Sequence, residues 1–101
     1  MLEQLGRVVP VTSRSMFGGV GIYSDGLFFA LIADDALYLK VDDTNRGDFE
    51  SAGMAAFRPY NDDRTMQYYE LPADLLEDVD ELRVWIQQSL SVATSARRSR
   101  R

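Results

Sequence analysis

Cysteine and histidine are both absent from the 101 residues of the chain. Without cysteine there is no disulfide framework, no thiolate nucleophile and no zinc–thiolate site. Without histidine the chain lacks the commonest acid–base group and metal ligand. These two absences exclude most hydrolase chemistry. We therefore expect a protein that needs no metal or other cofactor.

Long apolar runs are missing as well. No run approaches the roughly 18 apolar residues that cross a bilayer, and residues 1–6 lack the basic and then apolar pattern of a secretory leader. The sequence therefore predicts no membrane association and a cytoplasmic location. The 46% hydrophobic and 27% charged residues are typical of one soluble globular domain with a single core.

Basic residues are few and unevenly placed. The net charge is -5, but residues 1–96 carry 7 basic and 16 acidic side chains, or -9, because the last five positions hold Arg97, Arg98, Arg100 and Arg101. An acidic body repels the phosphate backbone, so the sequence predicts no direct specific binding of duplex DNA. We interpret residues 97–101 as a solvated, disordered basic tail. Weak, salt-sensitive contact of that tail with nucleic acid is the alternative.

The most informative stretch is 16–41, where three β-prone runs are separated by two tight polar breaks. Asp25-Gly26 in the first break tolerates the positive φ values of a two-residue hairpin, and Asp34-Asp35 is a weaker version of the same signal. The middle run, 27–33, shows no polar alternation, which is typical of a central strand covered on both faces. The stretch therefore predicts a three-stranded antiparallel meander.

The flanking segments predict further strands and helices. Pro10 stops a short N-terminal helix, Gly53 ends a helix whose N-cap candidates are residues 42–44, and Pro59 favours an edge strand over 56–60. A strand is expected over 11–17, a turn over 61–63, a strand over 65–71, a helical turn over 72–76, and a last helix capped at 78–81. The inward face of that last helix is formed by Leu82, Trp85, Ile86, Ser89, Leu90 and Ala93.

Together these elements predict the fold class. It is α+β, with an antiparallel sheet of about five strands and helices packed mainly on one face.

Several short motifs also resemble a known family. They are Arg-Ser-Met-Phe-Gly-Gly-Val-Gly-Ile-Tyr at 14–23, Gly-Leu-Phe-Phe-Ala-Leu-Ile at 26–32, Leu-Tyr-Leu-Lys at 37–40 and Tyr-Tyr-Glu-Leu-Pro at 68–72. In order and spacing they resemble the N-terminal domain of the TfoX/Sxy family of bacterial competence regulators, over residues 1–96. The resemblance implies a non-catalytic regulatory module that contacts a protein partner in the control of DNA uptake. The transcription machinery is one candidate for that partner. Family regulators also carry a C-terminal domain that resembles helical DNA-binding modules.

The motif residues are candidate interaction residues. A homodimer is an alternative assembly to a complex with another protein.

The second hypothesis, from a different class, is a small-ligand or anion-binding protein, or an enzyme, that uses Arg14 and the Gly18-Gly19 bend. A deep pocket lined by Arg14, Tyr23 and Lys40 would favour it, whereas a flat tyrosine-rich surface or a twofold interface would favour the first. The candidate residues are Arg14, Met16, Phe17, Gly18, Gly19, Tyr23, Tyr38 and Lys40.

Each of these signals also has a structural interpretation. The glycine motif precedes a strand and is not followed by Lys-Ser/Thr, so we prefer a strand bend to a phosphate loop. For Arg14 we prefer an internal salt bridge to an anion site, and for the five tyrosines half-buried packing to a protein-binding face. The four carboxylate pairs are interpreted as solvated turns and helix starts, not metal ligands; they are Asp34-Asp35, Asp42-Asp43, Asp62-Asp63 and Asp80-Glu81.

Overall fold

The computed structural model describes residues 2–16, 19–57 and 67–99 of the chain. Its elements, in chain order, are α1 (Leu2–Val8), β1 (Thr12–Met16), β2 (Gly19–Ser24), β3 (Leu27–Ala33), β4 (Ala36–Lys40), α2 (Arg46–Ser51), β5 (Tyr68–Glu70), a 3₁₀ helix (Ala73–Glu77) and α3 (Val79–Ser99). The five strands form one antiparallel sheet in the order β1-β2-β3-β4-β5. The predicted α+β class is therefore confirmed.

Two tight turns build the meander β2-β3-β4. Asp25 and Gly26 have φ values of 51° and 76°, and Asp34 and Asp35 have φ values of 51° and 60°. Positive φ at both central residues matches the right-handed twist of the flanking strands, and aspartate tolerates this conformation better than most side chains. Both predicted turns are confirmed, and β3 is the central strand of the sheet, as its apolar sequence predicted.

The main core lies between the sheet and the helices. All three helices pack on the same face of the sheet, and Phe29 is fully buried there, as predicted. The ring of Phe49 on α2 meets Trp85 on α3 edge to face, with 4.7 Å between ring centroids. The predicted inward face of α3 is confirmed, because its central residues are buried; Val92 is buried too and was missed. The fully buried side chains from sheet and helices include Leu5, Ile22, Phe29, Leu39, Phe49, Leu82 and Ile86.

The segment before α2 differs from its prediction. The helix begins at Arg46 with Asn45 as its N-cap, one to three residues later than caps at 42–44 would give, because the Asp42 carboxylate accepts the N–H of Thr44 at 2.8 Å and its hydroxyl at 2.5 Å. Asn45 is 2% exposed, accepts the N–H of Asp42 and donates to the carbonyl oxygen of Lys40. The aspartate pair therefore closes a turn and does not start the helix.

The edge beside β5 is also less regular than predicted. Ala56 forms an isolated bridge with Tyr69, and the N–H of Phe57 donates to the carbonyl oxygen of Tyr68 at 2.7 Å. This much of the predicted edge strand over 56–60 is confirmed; residues 58–66, with the predicted turn over 61–63, lie outside the described residues. At the other end of the chain, α3 continues to Ser99 and enters the segment predicted as a tail, since alanine and arginine favour helix.

No helix in the described ranges is both long and apolar enough to cross a membrane.

Candidate functional site

The sheet face opposite the helices carries a second, smaller apolar cluster. We call it the aromatic face and define it by Tyr23, Phe28, Leu31, Tyr38, Phe57 and Tyr68. The strand register places these side chains together, because Tyr23 pairs with Phe28, Leu31 pairs with Tyr38, and Lys40 pairs with Tyr68. Directly paired residues of an antiparallel sheet point to the same side. The two clusters are thus separated by the sheet itself.

Three aromatic rings on this face form a row, and two others form a separate pair; the row is Tyr23, Phe28 and Tyr68, and the pair is Tyr38 and Phe57. Tyr23 stacks on Phe28 with 5.0 Å between centroids, and Phe28 meets Tyr68 at 5.2 Å. Tyr38 packs on Phe57 at 4.9 Å. Such ring pairs contribute about 0.5–1.5 kcal/mol beyond the area they bury. The row therefore holds its tyrosines in fixed positions.

Burial differs sharply within the aromatic face. Leu31, Phe57 and Tyr68 are 3%, 7% and 3% exposed, whereas Tyr23, Phe28 and Tyr38 are only half-buried. The face therefore consists of a small buried centre surrounded by partly exposed rings. The expected half-buried packing is seen for Tyr23 and Tyr38, and Tyr68 is buried more completely.

Two cations lie against this row of rings. The guanidinium carbon of exposed Arg14 is 5.8 Å from the centroid of Tyr23, and Nζ of Lys40 is 5.1 Å from the centroid of Tyr68. Both distances are within the range of a cation–π interaction. The structure thus brings Arg14, Tyr23 and Lys40 to one face of the sheet, with the aromatic rings between the two cations.

The expected salt bridge of Arg14 is absent from the described part of the chain. There, Arg14 contacts the ring of Tyr23 and pairs with no carboxylate. The reason is its register: Arg14 lies opposite Gly21, which leaves the neighbouring ring as its nearest partner. The acidic side chains are concentrated instead at turns and helix starts.

Two tyrosines of this face, Tyr68 and Tyr38, have a raised pKa. Burial raises the pKa of Tyr68, with a smaller effect of Tyr23. Burial also raises the pKa of Tyr38, and the negative charges of Glu70 and Asp34 add to this effect. The Tyr68 hydroxyl faces the carbonyl oxygen of Phe28 at 3.5 Å. Both tyrosines thus remain hydrogen-bond donors at neutral pH and are poor nucleophiles.

Gly19 has a packing requirement that is independent of any ligand. A Cβ atom at this position would overlap the backbone carbonyl oxygen of Ile32 on β3. The absent side chain therefore permits a close approach of two strands, in line with the strand-bend interpretation. Phe17 and Gly18 lie outside the described residues, and Met16 is described only as the end of β1.

The acidic pairs are engaged locally. A hydrogen bond from the Thr44 hydroxyl holds the pKa of Asp42 below its usual value. Asp43 forms an ion pair with Arg46 at 2.6 Å, and the Asp78 carboxylate accepts the N–H of Glu81 at the start of α3. Within the described ranges, no group of three or more acidic side chains is arranged to hold a metal ion. Asp62 and Asp63 lie outside those ranges.

Two grooves occur on other parts of the surface. One, of about 420 Å³, lies between the end of β4 and the end of α3, and its Arg46 is already paired with Asp43. The other, of about 460 Å³, lies between the turn before α2 and the outer side of α3, where Gln87 and Ser91 line it. Neither groove places a nucleophile beside a base, so neither has the arrangement of a catalytic site.

Comparison with known proteins supplies the family. The family model described as the TfoX N-terminal domain matches residues 3–93. A curated relative, the DNA transformation protein TfoX1 of Aliivibrio fischeri, is 32% identical over 89 residues, which cover 79% of this chain and 41% of the relative. The chain thus spans less than half the length of that relative. Because the family match extends over most of the chain, the chain belongs to the family defined by the TfoX N-terminal domain.

Proposed function

We propose that this chain is a non-catalytic protein-interaction module that regulates genes of DNA uptake through a protein partner of the transcription machinery. Its place of action is the cytoplasm. The relative's description as a DNA transformation protein suggests the pathway, and the family match suggests the regulatory role. The surface that binds the partner is the aromatic face.

The observation that carries this proposal is the row of half-buried rings between Arg14 and Lys40. Tyrosine and arginine are enriched at protein interfaces, and tyrosine contributes a large contact area with few rotatable bonds. Here stacking already fixes the rings of Tyr23 and Phe28, so a partner would immobilise them at little further entropic cost. The neutral Tyr38 hydroxyl can donate a hydrogen bond to the partner.

Direct reading of DNA is a poorer fit to the same surface. The two cations of this face lie against aromatic rings. The net charge of residues 1–96 is -9. A duplex-binding surface needs several basic side chains that neutralise successive phosphates. A protein partner needs no such series of basic side chains on this surface.

A complementation experiment tests the proposal. The gene is deleted in the native cell, and transformation frequency is measured after return of the wild-type chain, Tyr38→Ala or Gln87→Ala. Tyr38 lies on the aromatic face and Gln87 is exposed on the outer side of α3. We expect Tyr38→Ala to lower the frequency and Gln87→Ala to leave it unchanged, with equal amounts of folded protein in each strain.

Equal frequencies for the two variants would count against the aromatic face. Unchanged transformation after the deletion itself would count against the pathway. Sedimentation of the purified chain separates a complex with another protein from a homodimer across the same face.

A further inference from the structure

Among the described residues, β1 forms an open edge of the sheet. In their strand order it has a neighbour on one side only, β2. The opposite edge is covered by the chain itself, because Phe57 donates to the carbonyl oxygen of Tyr68 and Glu70 donates to that of Ala55 at 3.1 Å. An uncovered edge strand presents unpaired N–H and C=O groups to any strand that approaches it. The two edges of this sheet are therefore not equivalent.

The hairpin after β2 determines which groups of β1 point outward. Ser24 and Leu27 flank the two-residue turn and are paired across it, so the main-chain groups of Ser24 are directed to β3. The direction of the main-chain groups alternates along a strand. The N–H and C=O groups of Tyr23 are therefore directed to β1 and bond with Thr12, its partner in the register. The N–H and C=O groups of Ser13 and Ser15 consequently point away from the sheet.

Nothing in β1 blocks a further strand. The side chains of residues 12–15 are all exposed, the segment has no proline, and its register with β2 is regular. Proline, lysine and β-bulges are the usual devices that protect an exposed edge. β1 carries a single charge, that of Arg14, which lies on the side of the aromatic face.

The charged side chain of β1 has the opposite sign to the net charge of the body. It is the exposed guanidinium of Arg14, whereas residues 1–96 together carry 7 basic and 16 acidic side chains. Electrostatic complementarity therefore favours an acidic segment at β1 and disfavours one elsewhere on the body.

We propose that β1 binds an acidic, extended segment of a protein partner, which is added to the sheet as a sixth strand. Its main chain bonds to the outward groups of Ser13 and Ser15, and a carboxylate of the segment lies beside Arg14 above Tyr23. This inference rests on the proposed function, since it gives the binding mode of the partner. Added strands obtain affinity from main-chain hydrogen bonds and specificity from alternate side chains.

A second copy of the chain fits this edge less well. Antiparallel pairing of β1 with its own copy about the central residue of the strand places Arg14 opposite Arg14. Like charges directly opposite each other destabilise a strand pair. The remaining body of each copy is also acidic.

The test uses a display library of random octapeptides selected on the purified chain. Peptide affinities are then measured by fluorescence anisotropy for the wild type, Ser13→Pro, Ser15→Pro and the matched Ser13→Ala and Ser15→Ala variants. Proline removes an outward N–H and is tolerated at an edge, whereas alanine keeps the N–H and removes only the hydroxyl. Thermal melting verifies that each variant is folded.

We expect the selected peptides to be rich in acidic and β-branched residues. Their affinity should fall about tenfold or more in each proline variant, since each loses a main-chain hydrogen bond and the fit of the added strand, and stay near wild type in the alanine variants. Arg14→Glu should abolish the preference for acidic peptides.

Three results would overturn the inference. One is the failure to select any peptide, the second is a set of peptides whose affinity is unchanged by both prolines, and the third is a dimer of the chain that Ser13→Pro dissociates. The proposed function is tested separately. If Tyr38→Ala lowers transformation while the proline variants bind peptides and transform normally, binding by the aromatic face is supported and the added strand at β1 is contradicted.

Discussion

The backbone of Gly19 at the start of β2 lies directly against the carbonyl oxygen of Ile32 on β3, and no Cβ atom fits between them. Gly19 thus has a steric requirement of its own that is independent of any ligand. The register of β1 with β2 places Arg14 and Tyr23 on the aromatic face.

Gly19→Ala should therefore destabilise the domain. We expect a loss of about 1–3 kcal/mol, because the overlapping atom belongs to backbone that must shift. Gly47→Ala in α2 is the matched control, since a Cβ there meets nothing within 4 Å. It should stabilise the helix by up to about 1 kcal/mol. Urea denaturation of the two variants compares them, and a Gly19→Ala midpoint equal to that of the wild type would contradict the steric account.

Phe29→Ala should cost about 3–5 kcal/mol, because it leaves a cavity under a side chain that is 0% exposed. Val84→Ala on α3 provides the comparison; Val84 is 49% exposed, and its truncation should change the free energy of unfolding by less than about 0.5 kcal/mol. Chemical denaturation with a common slope for both variants gives the two values. A shift below about 1 kcal/mol for Phe29→Ala would remove Phe29 from the core.

Local sequence signals predicted most of this fold. The aspartate turns, the apolar strand 27–33 and the 3.6-residue period of α3 each depend on neighbouring residues only, and all three were confirmed. The start of α2 was wrong, because the side chains of Asp42 and Asn45 are used in a turn that depends on β4 and Gln67. Signals that depend on distant partners are the ones that a single sequence conveys least well.

Alkaline pH should weaken the aromatic face. Burial raises the pKa of Tyr68 in the folded chain above its usual value of about 10. The pKa of Tyr68 is therefore higher in the folded chain than in the unfolded chain. The stabilising effect of the neutral side chain is complete below about pH 10, the unfolded value, and is lost as the pH rises through the folded value. We expect the free energy of unfolding to fall above pH 10, and Tyr68→Phe to fall less steeply. Parallel curves for the two proteins between pH 9 and 11 would rule out Tyr68 as the cause.

The candidate site was only partly visible in the sequence. Arg14, Tyr23, Tyr38 and Lys40 were selected, and the structure brings all four to one face. Three members of that face were missed. Phe28 and Leu31 were missed because the irregularity between Ile22 and Tyr23 changes the alternation of side chains along β3. Phe57 was missed because it belongs to a separate segment of the chain. The expected salt bridge of Arg14 failed for a similar reason, since its ring partner lies on another strand.

Duplex DNA should not be bound specifically by this chain. The arginines after residue 96 neutralise at most about four phosphates, so any affinity should fall with salt at a logarithmic slope no steeper than about -4. It should vanish when residues 97–101 are deleted. Fluorescence anisotropy with a promoter fragment and a scrambled duplex, each at two salt concentrations, measures this. Sequence-selective binding that survives the deletion and about 150 mM salt would favour a direct DNA-binding regulator.

The central claim is that the aromatic face binds a protein, and site-specific photo-cross-linking in the native cell tests it most directly. A photoreactive phenylalanine derivative replaces Tyr38 on the aromatic face in one strain and Gln87 on the outer side of α3 in another. Cross-linked products are isolated under denaturing conditions and identified by mass spectrometry. We expect a discrete protein product at position 38, weakened by Arg14→Glu, and no such product at position 87. Cross-links to DNA at position 38, or the same products at both positions, would contradict the account.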